Sequence, residues 1–220
     1  MQDYFFLVPC AGYGSRMNSD IPKQYLQYQN KPIIYYTLKS LSDFDFPILL
    51  IVSPDDGYIS QYQHLFSNNV NIQYIGGTTR SQSVLNGLNY ISNYTHNNPW
   101  ILVHDGARPL VNFQDVKKLI DTCINCQEGG LLAVKIVDTI KKKVNQNITT
   151  LDREGMYLAQ TPQMFKLDML LKALQAHENV SDEASAIEQV GVNPLIIEGS
   201  RFNIKITTQE DLAWLNFLNF

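Results

Sequence analysis

No apolar run in these 220 residues approaches the roughly 18 needed to cross a bilayer, so a membrane-spanning helix is not expected. Cysteine is scarce and odd in number, three in all, which argues against a disulfide framework. An excess of positive charge is also missing. Lys and Arg number 17 against 21 Asp and Glu, a net charge of −4, and a chain without a general basic surface is not built for nucleic acid. Met1-Gln2-Asp3 lacks the cationic region of a secretory signal, which points to the cytoplasm. No repeat, linker or low-complexity stretch interrupts the sequence, so a single domain over residues 1–220 is expected.

Two nucleotide signatures are absent as well. Tyr4 to Val8 reads as a buried strand that ends at Pro9, which cannot donate to a sheet ladder. Ala11, Gly12 and Gly14 follow, small enough for a backbone to approach a ligand closely. A dinucleotide fingerprint would need another glycine where Met17 stands, so hydride transfer loses its support. A P-loop would need Gly-Lys-Ser/Thr at the loop's end, which is not there. What the segment does hold is Arg16 and Lys23 just behind the glycines. A tight strand–helix turn explains the glycines; it does not require both cations. A phosphate chain does.

Beyond the loop, apolar strands alternate with helical stripes: Ile33–Leu41, Pro47–Val52, a short helix over Ile59–Phe66, Ile72–Ile75, then Val84, Leu85, Leu88 and Ile91, Trp100–Val103 and Val116–Cys123. That alternation predicts βαβ units in a three-layer α/β sandwich with a mostly parallel sheet. Cys123 and Cys126 form a C-x-x-C within the last of these helices, and with no second pair a structural role is expected. Cys10 is expected to fill the loop. The rhythm breaks between Leu131 and Phe165, where Thr139–Val144 and Ile148–Leu151 flank an Asn145-Gln146-Asn147 turn. This predicts a projecting β-hairpin arm over about 136–155, with Lys141-Lys142-Lys143 as a solvated edge. Helices resume at Asp168–His177 and Ser181–Val190, the latter stopped at Gly191. A strand at Leu195–Ile197, a β-like Asn203–Thr207 and a final helix begun by Thr208 and Asp211 complete the chain.

Several polar segments sit where strands end. Gly76-Gly77-Thr78-Thr79-Arg80-Ser81-Gln82-Ser83 runs from a strand into a helix; capping explains its hydroxyls, and contact with a base or ribose at the sheet's carboxyl edge is the functional alternative. His104-Asp105-Gly106-Ala107-Arg108-Pro109 follows an apolar strand directly. Asp105 there suits either a magnesium-bound phosphate or an ion pair with Arg108 that closes a turn, and His104 reads as a buried strand residue. Asp138-Thr139, Asp152-Arg153, Thr161-Pro162-Gln163, Ser181-Asp182-Glu183-Ala184-Ser185 and Asn203-Ile204-Lys205-Ile206-Thr207 are unremarkable singly. The two acids of the Ser181 segment are explained by the helix dipole alone.

In series these segments are less ordinary. P-C-A-G-Y-G-S-R-M, P-K-Q-Y, G-G-T-T-R-S-Q-S-V, H-D-G-A-R-P, D-T, D-R, T-P-Q, S-D-E-A-S-A and N-I-K-I-T resemble, in order and over nearly the whole chain, the nucleotidyltransferases that activate sugar and polyol phosphates. The nearest likeness is the 2-C-methyl-D-erythritol 4-phosphate cytidylyltransferase family. Thr78 stands where that family often has an acid, and Cys10 where it more often has alanine. The resemblance implies a Rossmann-like nucleotidyltransferase fold. It also implies transfer of CMP from CTP to the polyol phosphate with loss of pyrophosphate, magnesium as cofactor, and a homodimer joined through the arm. Arg16 and Lys23 would then stabilise the triphosphate and the transition state. Pro9, Ala11, Gly12, Gly14, Gly77, Ser83, Asp105, Gly106 and Arg108 would bind CTP. Arg153 from the partner subunit and Lys205 would hold the attacking phosphate, with Thr139, Thr161 and Asp105 contacting the polyol phosphate. Asp105 is also the candidate near the metal, directly or through water. A ribitol 5-phosphate cytidylyltransferase would carry the same chemistry, and the bare sequence does not separate the two. A non-catalytic nucleotide-binding regulator remains as a reading from another class, although it would not need the grip on an attacking phosphate.

Overall fold

In the computed structural model, which describes residues 3–12, 21–177 and 179–217, the first apolar run is strand β1 (Tyr4–Pro9). A two-strand turn, β2 (Gln27–Tyr28) with β3 (Lys31–Pro32), leads to helix α1 (Ile33–Ser42) and β4 (Ile48–Ile51). Next come β5 (Val70–Gln73), α2 (Arg80–Tyr94), β6 (Trp100–Val103), α3 (Phe113–Cys126) and β7 (Gly130–Lys135). The hairpin β8 (Ile140–Val144) and β9 (Asn147–Leu151) precedes β10 (Tyr157–Lys166). The chain then runs through α4 (Leu167–Ala176), α5 (Glu183–Gln189), β11 (Leu195–Glu198) and α6 (Gln209–Phe217).

The central sheet has seven strands in the order β11-β7-β10-β6-β1-β4-β5. Strands β4 and β6 are buried throughout and β1 over Phe6–Val8, as continuous apolar runs must be when helices cover both faces of a parallel sheet. Side chains alternate between the faces with period two. Phe6, Val8, Ile48, Leu50, Trp100 and Leu102 meet α1 and α3 through Ile34, Leu38, Leu41, Val116, Leu119 and Cys123. Leu7, Leu49, Ile51, Ile101 and Val103 face the other way, onto α2, α4 and α5. Each fully buried Leu, Ile or Phe contributes about 1.5–3 kcal/mol, so the sheet is held from both sides. A third cluster joins Tyr28, Ile33 and Tyr36 to Ile206 and Leu215 of the C-terminal region.

The expected three-layer α/β sandwich is therefore present, with the sheet parallel except around β10, which runs antiparallel to both β6 and β7. That strand was not expected: Gln160, Thr161, Pro162 and Gln163 read as polar residues near a hairpin. They lie inside the sheet, three of them buried with their polar groups bonded, and the register shifts between Ala159 and Gln163 where Pro162 sits. Three other expectations meet the structure with mixed results. Residues Ile59–Phe66 form two short 3-10 turns rather than one helix. Asn203–Thr207 is irregular backbone, pinned by the buried Asn203 amide on Thr161 O and by Ile206 N–H on Ala107 O. Thr208 and Asp211 cap α6 reciprocally as expected. The arm is present as the separate two-stranded sheet β8-β9, and Cys123 and Cys126 are free thiols on α3, the first buried and the second exposed.

Candidate active site

Chain order runs β1, β4, β5 to one side and then crosses to β6 on the other side of β1, so the strand order reverses at the β1–β6 pair. Ligands of open α/β sheets bind in the crevice outside the strand ends at such a reversal. A cavity of about 310 Å³ lies there. Pro9, Ala11 and Gly12 from the end of β1, Gly77 and Ser83 from the entrance of α2, and Asp105 and Gly106 beyond β6 line it, together with Lys23 and Lys205. Expected site residues from the two ends and the middle of the chain thus converge on one space. Arg108 lies just behind the wall. Gly14 and Arg16 lie outside the described residues.

Packing fixes the loops. A β-carbon on Gly76 would fall 2.3 Å from Ala11 Cβ and 2.7 Å from Val52 O, so only glycine lets the β1 loop close against the entrance of α2. Ser83 accepts from Gly77 N–H at 3.0 Å and donates to Thr79 O at 2.9 Å, which ties the double-glycine turn to the helix. Thr79 caps α2 by accepting from Gln82 N–H. Gln24 donates to Cys10 O at 2.9 Å, and the Lys23 ammonium donates to Ile206 O at 3.3 Å, beside Lys205. Cys10 is buried, and burial pushes its thiol up; it fills the loop as expected.

Asp105 is the electrostatic centre. Its Oδ1 accepts from Arg80 Nε at 2.8 Å, and its Oδ2 pairs with Lys205 Nζ at 2.8 Å. Arg108 Nε stands 3.5 Å from Oδ2, too far for a good hydrogen bond, while its Nη1 donates to Asn203 O at 2.7 Å. Burial alone would raise the Asp105 carboxyl; the charges of Arg80, Lys205 and Arg108 overcome it and hold the group well below the usual carboxylate range. The ion pair with Arg108 that closes the turn is present, and the same carboxylate lines the cavity.

The sequence alone assigns no role to Arg80 or Glu183. Arg80 lines the cavity, and besides Asp105 its Nη1 and Nη2 reach Glu183 Oε1 and Oε2 at 2.7 and 2.9 Å. A signal for Arg80 does exist, since it is one of five arginines and sits within the double-glycine segment. Glu183 gives none, because an acid in the first turn of a helix needs no further explanation.

Thr161 is buried beneath the pocket rather than on its wall. Its hydroxyl accepts from Asp105 N–H at 3.0 Å. Arg108 O, 3.1 Å from His104 Nε2, can only accept, so the neutral imidazole carries its proton on Nε2 and its Nδ1 accepts from the Thr161 hydroxyl at 3.1 Å. Burial lowers the His104 pKa to about 4, so the ring is neutral at physiological pH. The unfolded chain takes up this proton near pH 6.5 and the folded one only near 4, so stability declines as pH falls between those values. The expected loss is about 3 kcal/mol. Urea unfolding of wild type and His104→Asn at about pH 7 and about pH 4.5 checks this: the wild type loses most of that increment and the variant does not.

Thr139 and Arg153 lie on the arm, exposed and away from this chain's own cavity. The Arg153 guanidinium donates to Val137 O, across the base of the hairpin.

Of the hydroxyls that line the cavity, Thr79 and Ser83 are bound into the entrance of α2 and Thr207 donates to Asp211. Burial keeps the Cys10 thiol protonated, and among the described residues no histidine lines the cavity to activate any of them. The cavity offers cations, backbone N–H groups and one buried carboxylate, an arrangement that brings anions together and lets them react with each other. On a Rossmann-like sandwich this chemistry is that of a nucleotidyltransferase. The family model IspD, 2-C-methyl-D-erythritol 4-phosphate cytidylyltransferase, matches residues 5–218, and the chain belongs to that family. A relative of that name from Haemophilus influenzae (strain PittEE) is 43% identical, covering 96% of this chain and 94% of its own. Another from Photorhabdus laumondii is 42% identical over 98% and 94%. Among solved structures, a 4-diphosphocytidyl-2C-methyl-D-erythritol synthase superposes with a TM-score of 0.88 at 33% identity, covering 100% of this chain and 99% of the other. The Francisella tularensis 2-C-methyl-D-erythritol 4-phosphate cytidylyltransferase gives 0.81 at 34% identity, covering 98% and 99%.

Proposed function

We propose that this enzyme joins CTP and 2-C-methyl-D-erythritol 4-phosphate into 4-diphosphocytidyl-2-C-methyl-D-erythritol, releasing pyrophosphate, in the cytoplasmic synthesis of isoprenoid precursors. The observation that carries the reading is the convergence of Lys23, Arg80 and Lys205 on one cavity whose other walls are the small-residue loop and Asp105. The phosphate monoester is already an anion, so the attack on the α-phosphorus needs no side-chain base. The obstacles are bringing two anions together and stabilising the charge of the in-line transition state, which makes catalysis a matter of position and electrostatics. Arg16 and Lys23 would hold the triphosphate, Lys205 the incoming phosphate, and Pro9, Ala11, Gly12, Gly14, Gly77, Ser83, Gly106 and Arg108 the nucleotide.

Magnesium is part of this reading. Among the described residues no three His, Cys, Asp or Glu side chains group together, and the one acid on the cavity wall, Asp105, already has both oxygens engaged. Such a donor set fits a cation that arrives on the triphosphate oxygens and keeps its waters, with Asp105 as at most one ligand. Bound there, it would neutralise part of the phosphate charge.

The test is a pyrophosphate-release screen of the four nucleoside triphosphates against 2-C-methyl-D-erythritol 4-phosphate and ribitol 5-phosphate. Turnover with CTP and the first alcohol is expected. Preference for ribitol 5-phosphate would move the enzyme to the sister reaction, and binding without turnover would return it to a regulator.

A homodimer through the arm belongs to the same proposal. Arg153 and Thr139 are too exposed to serve their own cavity, and Val137, Val144, Ile148, Tyr157 and Leu158 leave apolar surface uncovered along and below the hairpin. If Arg153 completes the partner's site, Lys23→Ala and Arg153→Ala chains are each inactive alone. Refolded together in equal amounts they should recover about a quarter of the wild-type rate, since half of the dimers carry one intact site. An inert mixture would mean that each chain builds its site alone.

A further inference from the structure

We propose that Glu183 is a positioning residue of the phosphoryl-transfer centre. By chelating Arg80 it fixes the orientation in which Arg80 Nε holds Asp105, and through Asp105 the ammonium of Lys205. This deepens the proposed reaction and rests on it.

Glu183 is only 1% exposed, in the first turn of α5. Helix capping does not account for it. Asp182 caps α5, accepting from Ser185 N–H while the Ser185 hydroxyl accepts in return from Asp182 N–H, so that box is complete without Glu183. An acid serving only the helix dipole would stay in water, because dehydrating a carboxylate is costly unless a partner compensates. Here the partner is the planar fork of Arg80, met by both carboxylate oxygens at 2.7 and 2.9 Å. That geometry fixes direction as well as charge, which a lysine in place of Arg80 would not reproduce.

The entrance of α5 is itself anchored. Gln163 on β10 accepts from Ala184 N–H at 2.7 Å through Oε1 and donates to Asp182 Oδ2 at 2.9 Å through Nε2. Sheet, helix entrance, Glu183, Arg80, Asp105 and Lys205 thus form one continuous series, with charges alternating from Glu183 onward. Its far end stands in the cavity, on the segment whose Ile206 carbonyl also receives Lys23. Arg80 starts α2 on the nucleotide side, while Lys205 is on the side assigned to the attacking phosphate. Releasing Glu183 lets the guanidinium rotate, and with it the carboxylate that aims Lys205.

Glu183→Gln keeps the shape but sets an amide N–H₂ against a guanidinium that only donates. The expected result is a fall of about 10- to 100-fold in kcat/KM for the polyol phosphate, with KM for CTP changed less than about threefold. Glu183→Asp should recover part of the loss. Because Glu183 acts through Arg80, adding Glu183→Gln to Arg80→Lys should lower kcat/KM no further than Arg80→Lys alone. Wild-type kcat/KM retained by folded Glu183→Gln, or additive losses in the double variant, would overturn the proposal. If Glu183→Gln does not fold, Arg80→Lys carries the test: a variant that keeps its charge and full activity refutes the need for a held fork. Wild-type turnover in the same assay tests the reaction separately. A crystal structure of either variant gives a readout independent of the reaction. The expected result there is an Asp105 carboxylate that has rotated and carried Lys205 with it; both side chains unmoved is the refuting one.

Discussion

Lys23→Ala should lower kcat by about two to three decades while leaving the fold intact. Removing one preorganised donor at a developing charge costs about 2.7–4 kcal/mol in comparable sites, and Lys23 supplies a full charge where the triphosphate is expected. Its ammonium is positioned by the carbonyl of Ile206 at 3.3 Å, and the residue opens a short 3-10 turn at the mouth of the cavity. It is half-buried and takes no part in the apolar clusters, so the melting temperature should move little. Lys23→Arg should restore only part of the rate, because a wider, more diffuse cation cannot occupy the same point. Steady-state kinetics with CTP varied up to saturation make the check. A variant turning over at the wild-type rate would remove Lys23 from the transition state, and one that only raised KM for CTP would assign it to ground-state binding instead.

What can be read from sequence follows the strength of local signals. Apolar runs bounded by Gly or Pro, as at β1, β4 and β6, read as strands because burial on both faces leaves no polar positions to confuse the pattern. The amphipathic stripe of Val84, Leu85, Leu88 and Ile91 reveals α2 for the complementary reason. Strand β10 is hidden because its buried polar residues are satisfied by partners far away in sequence. Gln160 bonds Ser200 O, forty positions on, and Gln163 bonds Asp182. Composition carries no trace of such partners. The site divides along the same line. Glycines and cations next to strand ends announce the loops, whereas the joining of Arg80 to Glu183 spans 103 positions and exists only once the sheet has formed. The partner of Thr161 is hidden in the same way: its hydroxyl stands under Asp105, 56 positions away, and accepts from the backbone N–H of the acid.

That placement makes Asp105 a keystone for stability as well as for binding. Asp105→Ala should destabilise the fold by about 3–5 kcal/mol at neutral pH, the range for deleting one partner of a buried ion pair. The cost is not shared equally among its partners. Lys205, a third exposed, can turn its ammonium to water, and Arg80 retains Glu183. Arg108 cannot escape: its side chain is 11% exposed and its Nε has no hydrogen-bond acceptor even in the wild type. The pH dependence distinguishes this origin from simple loss of packing. The folded-state pKa of Asp105 lies well below its ordinary value, so the carboxylate's contribution is fully present above the unfolded pKa of about 4 and fades as pH falls through the folded value. The difference between wild type and Asp105→Ala should therefore hold constant from about pH 8 to about 5 and narrow only below about 4. Urea titrations across that range measure it. A difference under about 1 kcal/mol at neutral pH would mean that the buried arginine finds a new partner once the acid is gone. A difference that persists unchanged at about pH 3 would assign the loss to the cavity left by the side chain instead of to its charge.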